Sequence, residues 1–215
     1  MCADEAEPFL DNTSVPHDHV AERVETPTVR VMDVRVFGDT AFARFARETD
    51  EVRSLYFRRE HGRWTVCADA EDDLSLEQLE GNAWPAAPSD ATRLVRAAHE
   101  LRRKPIGSLG VEDLRLLLSQ NEGLDVLLPR TMIWLQSEPL LEGDLYPGDL
   151  LAAALQVNRD CWRKDPVSLT RMRIVVDAIR DLGDLTEHDA PHDEIWNLIS
   201  ELPADLASRP PENTP

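Results

Sequence analysis

Histidine and cysteine are the residues whose spacing in this sequence could support metal chemistry. His188 and His192 are four residues apart, a spacing that lets two imidazoles bind one metal ion from the same helix face. Pro191 falls between them and interrupts such a helix. His17 and His19 lie in a polar stretch without helical periodicity, and the three cysteines include no Cys-x-x-Cys pair. We therefore expect no metal site and no bound cofactor.

The short motifs that carry covalent or phosphate chemistry are also missing from the sequence. There is no Gly-x-Ser-x-Gly, no Ser-x-x-Lys and no glycine-rich phosphate loop, and the nine glycines are scattered. Cys67 ends a predicted strand and Cys161 lies beside Trp162 in a predicted helix, positions typical of core residues. Carboxylates are abundant, but a catalytic pair needs one of them in an apolar pocket. We predict that the protein is not an enzyme.

Residues 140–151, with the sequence LLEGDLYPGDLL, concentrate acidic and turn-forming residues between two predicted helices. The candidate binding groups are three carboxylates and one aromatic ring: Glu142, Asp144, Tyr146 and Asp149. Three residues with special backbone geometry are expected to shape the loop around them: Gly143, Pro147 and Gly148.

Two interpretations of this loop remain open. It is either a plain helix-to-helix connection, in which Asp149 favours the helix N terminus, or a rigid acidic loop that presents carboxylates and an anchoring tyrosine to a basic partner. In the second case we expect Glu142, Asp144 and Asp149 to be partly exposed around Tyr146.

The net charge of −18, from 41 acidic and 23 basic side chains, limits the class of partner. Such a charge repels phosphate backbones and anionic lipid, so nucleic acid and membranes are poor partners, whereas a basic protein is the electrostatic complement. Acidity can also serve solubility alone. The start of the chain is acidic where a signal peptide is basic and then apolar, and the longest apolar run is residues 150–155. These features predict a cytoplasmic protein.

The first part of the chain has the pattern of a small antiparallel sheet. Residues 1–27 are polar and acidic, and we expect a poorly ordered arm. Within residues 28–84, four short segments rich in β-branched and aromatic residues are separated by turn signals such as Gly38-Asp39 and His61-Gly62, which predicts a meander. An acidic run follows, and then Trp84, Pro85 and Pro88 predict a linker.

The remainder is helical in pattern, so the predicted fold class is α+β, with a helical domain over 89–205 and a disordered tail over 206–215. Asp165-Pro166 is a strong helix start, with a capping carboxylate and then proline at the first helical position. Pro129 and Pro147 are predicted to open two further helices.

The helical part resembles a known family. In the stretch IGSLGVEDLRLLLSQNEGLDVLLPRTMIWLQSEPLLEGDLYPGDLLAAAL, four segments are similar to the small immunity proteins of bacterial contact-dependent growth inhibition (CDI) systems: Glu112 to Arg115, Gln120 to Leu124, Leu128-Pro129, and Glu142 to Leu151. The resemblance covers about residues 105–180. It implies a helical protein that binds and inactivates a cognate toxin domain, commonly a basic nuclease, in the cytoplasm.

A weaker resemblance concerns residues 28–68. The segments VFGDTAFARF and LYFRREHGRWTV are similar to strands of nuclear-transport-factor-2-like proteins. The alternative function is therefore a small-molecule-binding protein or enzyme built on a cone-shaped sheet of the SnoaL-like kind, with the helices as an accessory domain. An apolar pocket with one perturbed acid or histidine inside the sheet would support that alternative.

Overall fold

The computed structural model describes residues 29–46 and 52–202, and in them a four-stranded antiparallel sheet precedes a set of helices. This confirms the predicted α+β class. The predicted N-terminal arm (1–27) and C-terminal tail (206–215) lie outside the described residues. Within the described ranges, none of the helices has the length and apolar character that spanning a lipid bilayer requires.

The sheet is a simple meander with the strand order β1-β2-β3-β4. Its strands are β1 (Arg30–Phe37), β2 (Thr40–Ala46), β3 (Val52–Glu60) and β4 (Arg63–Val66). Gly38 closes the first hairpin at a φ of +62°, and His61 and Gly62 close the last one with φ values of +51° and +79°. Two consecutive positive φ values are typical of the two-residue turns that match strand twist.

One face of the sheet is covered by the segment that follows β4. Residues Ala68–Glu71 form a short 3-10 turn, and Tyr56 packs against Cys67 and Ala70. The Tyr56 hydroxyl donates a hydrogen bond to Glu71 over 2.7 Å. Phe42, on the same sheet face, is only 1% exposed. The turn thus supplies this face with the cover that a small sheet needs.

The helices are α1 (Leu76–Glu80), α2 (Arg93–Leu101), α3 (Val111–Ser119), α4 (Leu124–Ser137), α5 (Asp149–Leu155), α6 (Arg159–Lys164), α7 (Pro166–Leu182) and α8 (His192–Ser200). They bury a core dominated by leucine, including Leu114, Leu117, Leu118, Leu127, Leu128, Leu150 and Leu151. The predicted start of α7 is confirmed: the Asp165 carboxylate accepts hydrogen bonds from the amides of Val167 and Ser168, over 3.1 and 3.0 Å.

The prediction that Pro129 opens a helix is wrong. Helix α4 begins five residues earlier, after Gly123, whose φ of +64° turns the chain into the helix. Pro129 lies inside α4, where its missing N–H costs one hydrogen bond to the preceding turn. The Arg171 side chain donates to the Pro129 carbonyl oxygen over 3.3 Å, which ties α7 to α4 at this point.

The chain forms two compact units. The first contains the sheet, the segment up to Ser75 and Pro105–Gly107, and the second contains Leu76–Lys104 and the chain from Ser108 onward. Trp84, expected in a linker, belongs to the helical unit, where the Arg102 guanidinium lies 4.3 Å from the centre of its ring. The predicted domain boundaries, 28–84 and 89–205, stay predictions that truncation can test.

Candidate functional site

Asp149 holds the loop that precedes α5, named here the acidic loop (residues 142–148). It is the first residue of α5 and is 1% exposed. Its carboxylate accepts hydrogen bonds from the backbone amides of Gly143, over 2.6 Å, and Leu145, over 3.0 Å. The expectation that Asp149 is partly exposed is therefore wrong, because its oxygens face the loop backbone rather than solvent. Hydrogen bonds to a charged acceptor are among the stronger ones in proteins.

Helix α3 supplies a second attachment for the loop through Glu112 and Arg115. Arg115 donates to both oxygens of Glu112, each over 2.6 Å, and its Nε lies 3.7 Å from Oδ2 of Asp149. The Asp144 amide donates to Glu112 over 3.1 Å. The hydrogen bonds from Arg115 hold the pKa of Glu112 below its ordinary value. The segments Glu112 to Arg115 and Glu142 to Leu151 of the sequence therefore meet in space.

Two glycines of the loop occupy places where a side chain would collide. A Cβ at Gly143 would lie 2.8 Å from Oε2 of Glu112 and 3.0 Å from Oδ2 of Asp149. Gly148 has a φ of +91°, and a Cβ there would lie 2.9 Å from Cδ1 of Ile195 in α8. Both glycines thus allow backbone to approach carboxylates or a neighbouring helix. Pro147 is half-buried and precedes Gly148, the residue that caps α5, so the prediction that Pro147 opens this helix is wrong; its role in shaping the loop stays a prediction.

Tyr146 links the loop to α8. Its half-buried side chain donates a hydrogen bond to Oε1 of Glu194 over 2.8 Å. Burial, followed by this hydrogen bond, raises the pKa of the Tyr146 hydroxyl to about 12. The loop is therefore attached at one side to α3 through Glu112 and at the other to α8 through Glu194.

The surface around these attachments is strongly acidic. Residues 138–149 contain four acidic side chains and residues 181–201 contain seven, and neither segment has a lysine or arginine. Four of these acidic residues are exposed and define the acidic surface named here: Glu142, Asp144, Asp193 and Glu194. Of the predicted residues, Tyr146 is thus bound to α8 and the Asp144 backbone to α3, whereas the buried Asp149 binds the loop backbone from the start of α5.

Several functional residues of this site were missed from the sequence. Glu112 and Arg115 have the i, i+3 spacing of a helix ion pair, which is a signal for the pair but not for its attachment to residues 32 positions away. The acidic residues of α8 follow a proline and a histidine and had no motif that marked them. Their contribution follows from tertiary contacts alone.

The helical unit also contains a cavity of about 380 Å³, which is lined by residues at the C-terminal ends of α5 and α8 and by α6. Its lining includes Trp162 and Arg159 but no residue of the acidic loop. This cavity lies in the helical unit. A small-molecule-binding protein of the alternative kind would need a pocket inside the sheet.

Comparison with known proteins assigns the region that carries this site. Residues 78–172, a little under half of the chain, match the family model of CDI immunity proteins. The match begins well before residue 105, where the sequence resemblance was placed, and it contains Glu112, Arg115 and the whole acidic loop. No curated protein and no solved structure matches the chain. Over residues 78–172, the chain is therefore similar to the family of CDI immunity proteins.

Proposed function

We propose that the protein binds and neutralises the toxin domain of a CDI system, and that the acidic surface is where the toxin docks. The family match supports the immunity role. The docking site is assigned to the acidic surface because Glu142 and Asp144 are exposed on a loop whose backbone is held by Asp149 and Glu112.

A loop held in this way is suited to binding. Because its amides are already bonded to buried or half-buried carboxylates, little backbone freedom is lost when a partner docks, and less of the binding energy is spent on ordering. Tyr146 adds a partly exposed aromatic ring whose hydroxyl is already bound to Glu194. Tyrosines in such frames are frequent anchors of protein interfaces.

The charge of the surface favours a basic partner. Nuclease domains bind phosphate groups and present basic side chains for this purpose. An acidic surface would attract such a domain at long range and raise the association rate, and its carboxylates could occupy positions that phosphates otherwise take. We therefore propose a nuclease as the cognate toxin.

The test is co-expression with the toxin domain encoded next to this gene. The protein is expected to restore growth and to co-purify with the toxin at a one-to-one ratio. Glu142→Lys and Asp144→Lys should each weaken binding about tenfold or more, mainly through the association rate, and reduce its salt dependence. The matched control is Glu100→Lys, the same charge change at an exposed position of α2.

Two results would contradict the proposal at different levels. If no neighbouring toxin is neutralised or bound, the immunity function itself is wrong. If the protein neutralises the toxin but Glu142→Lys and Asp144→Lys bind as tightly as Glu100→Lys, the function stands and the location on the acidic surface is wrong.

A further inference from the structure

The second face of the sheet is largely apolar, with Arg53 at one end of its rows and Arg59 at the other. Direct cross-strand partners share a face, and the strand register forms two apolar rows on this one. The first row runs through Val36, Ala41, Phe57 and Val66, and the second through Val34, Ala43 and Leu55. Arg59 and Trp64 extend the same face at the β3–β4 end. We name this surface the open sheet face.

The large side chains of the open sheet face are exposed. Val34, Val36, Leu55, Trp64 and Val66 have exposed fractions between 41% and 60%. Single exposed apolar residues are ordinary, but these are contiguous and together expose on the order of 500 Å² of apolar surface. A patch of that size is about as large as the largest one on a typical soluble monomer, and such patches are often functional. The opposite face, which carries Phe42, is covered by the 3-10 turn after β4.

The open sheet face differs in charge from the rest of this acidic chain. Neither apolar row contains a carboxylate, and the Arg59 guanidinium lies 5.6 Å from the centre of the Trp64 ring. Arg59 is also paired with Asp39 over 2.7 Å, so its charge is balanced within the same chain. Two copies that meet through the two apolar rows would place no carboxylate of those rows against another, although the net charge of the chain is −18. Like charges placed opposite each other across an interface are costly.

Side-chain size varies along β2 on this face. Ala41 and Ala43 are small and lie between larger side chains of β1 and β3, whereas Phe45 is a large residue at the end of the same strand. In a two-fold arrangement, larger side chains of one copy would lie over the two alanines of the other, in the aligned packing that sheets adopt about 10 Å apart.

We propose that two copies of the chain pair through their open sheet faces to form a homodimer. The apolar patch with its rim approaches the roughly 600 Å² per partner at the lower limit of specific interfaces. The dimer is consequently expected to dissociate on dilution. The proposal does not depend on the immunity function, since none of its residues belongs to the acidic surface.

The test is the molar mass of the full chain in solution over a range of concentrations, measured by sedimentation velocity. The wild-type protein should approach twice the chain mass of 24.3 kDa at high concentration and the single mass on dilution. Val34→Glu combined with Val36→Glu should be monomeric throughout. Val95→Glu combined with Val167→Glu, the same two changes at exposed valines of α2 and α7, is the control and should dimerise as the wild type does.

A second variant covers the case in which the charged substitutions disturb folding. Val34→Thr with Val36→Thr keeps the side-chain shape and strand preference, and it should raise the dimer dissociation constant about tenfold while circular dichroism stays unchanged. A wild-type chain that is monomeric at all concentrations overturns the proposal, as does a dimer that the threonine variant leaves equally strong. A monomer whose threonine variant loses toxin binding would also overturn it, and would assign the face to the toxin.

Discussion

Replacing Asp149 by asparagine tests whether one buried carboxylate holds the acidic loop. The side chain is fully buried and accepts two backbone hydrogen bonds, from Gly143 and Leu145. Asparagine keeps the shape but offers one acceptor oxygen, so one of the two amides faces an NH₂ group. A buried donor left without an acceptor costs about 1–3 kcal/mol, and the remaining bond loses about 1 kcal/mol when its acceptor becomes neutral. Arg115 stays paired with Glu112, so no further charge is stranded.

The expected loss is therefore about 2–4 kcal/mol in the free energy of unfolding, or about 5–15 °C in melting temperature for a unit of this size. Thermal melts followed by circular dichroism and by calorimetry measure it. Asp144→Asn is the matched control: its side chain is exposed, and only its backbone amide is bound to Glu112, so its melting temperature should change by less than about 2 °C. If Asp149→Asn melts within that same margin of the wild type, the inference that Asp149 holds the loop is refuted.

Four further outcomes are expected. Gly143→Ala should destabilise the protein by about 1–3 kcal/mol in denaturant titrations, because its Cβ would strike Glu112 and Asp149, whereas Gly110→Ala, where the added Cβ meets nothing within 4 Å, should change stability little. The pKa of Glu112 is lowered on folding. Its contribution to stability is therefore present above the ordinary glutamate pKa of about 4.3 and is lost as the pH falls through the lower folded value. The stability difference between wild type and Glu112→Gln should vanish in acid, and a difference that persists there would contradict this. The chain has two tyrosines, and the pKa of each is raised, that of Tyr146 to about 12 and that of Tyr56 further. Phenolate absorbance should thus appear well above pH 10, and Glu194→Gln should bring the Tyr146 transition to lower pH. Titration of both tyrosines near pH 10 would disprove the burial of their hydroxyls. A fragment of residues 76–202 should fold. The predicted domain 89–205 should be less stable by about 3 kcal/mol or more, because it lacks Glu80 and Trp84, which contact the buried Arg102. Equal melting temperatures of the two fragments would support the boundary predicted from sequence.

Local signals in the sequence predicted the elements that depend on local physics. The sheet follows from β-branched segments separated by Gly38 and by His61-Gly62, because those turn residues admit the positive φ values that tight hairpins need. The start of α7 follows from Asp165 and Pro166, because capping and the fixed proline φ act within one turn of helix.

Features that depend on distant partners could not be predicted in this way. Arg102 is part of a basic run at a helix end, a pattern typical of solvated charges, yet it is buried between Glu80 and Glu122. Asp149 has the position of a dipole-favouring residue on the helix surface, yet its carboxylate turns back to bind the loop. In both cases the deciding groups are brought in by tertiary folding, and periodicity carries no information about them.

The contacts of the acidic loop divide its residues into two groups with different freedom to mutate. The residues that hold the backbone, Asp149, Glu112 and Gly143, use their polar atoms or their lack of a side chain within the protein. The side chains of Glu142, Asp144 and Leu145 project from that frame and are exposed. Substitutions at these three positions therefore alter the chemistry offered to a partner at little cost in stability. If a toxin docks on the acidic surface as proposed, substitutions at these positions would change specificity step by step while the frame of the loop stays folded.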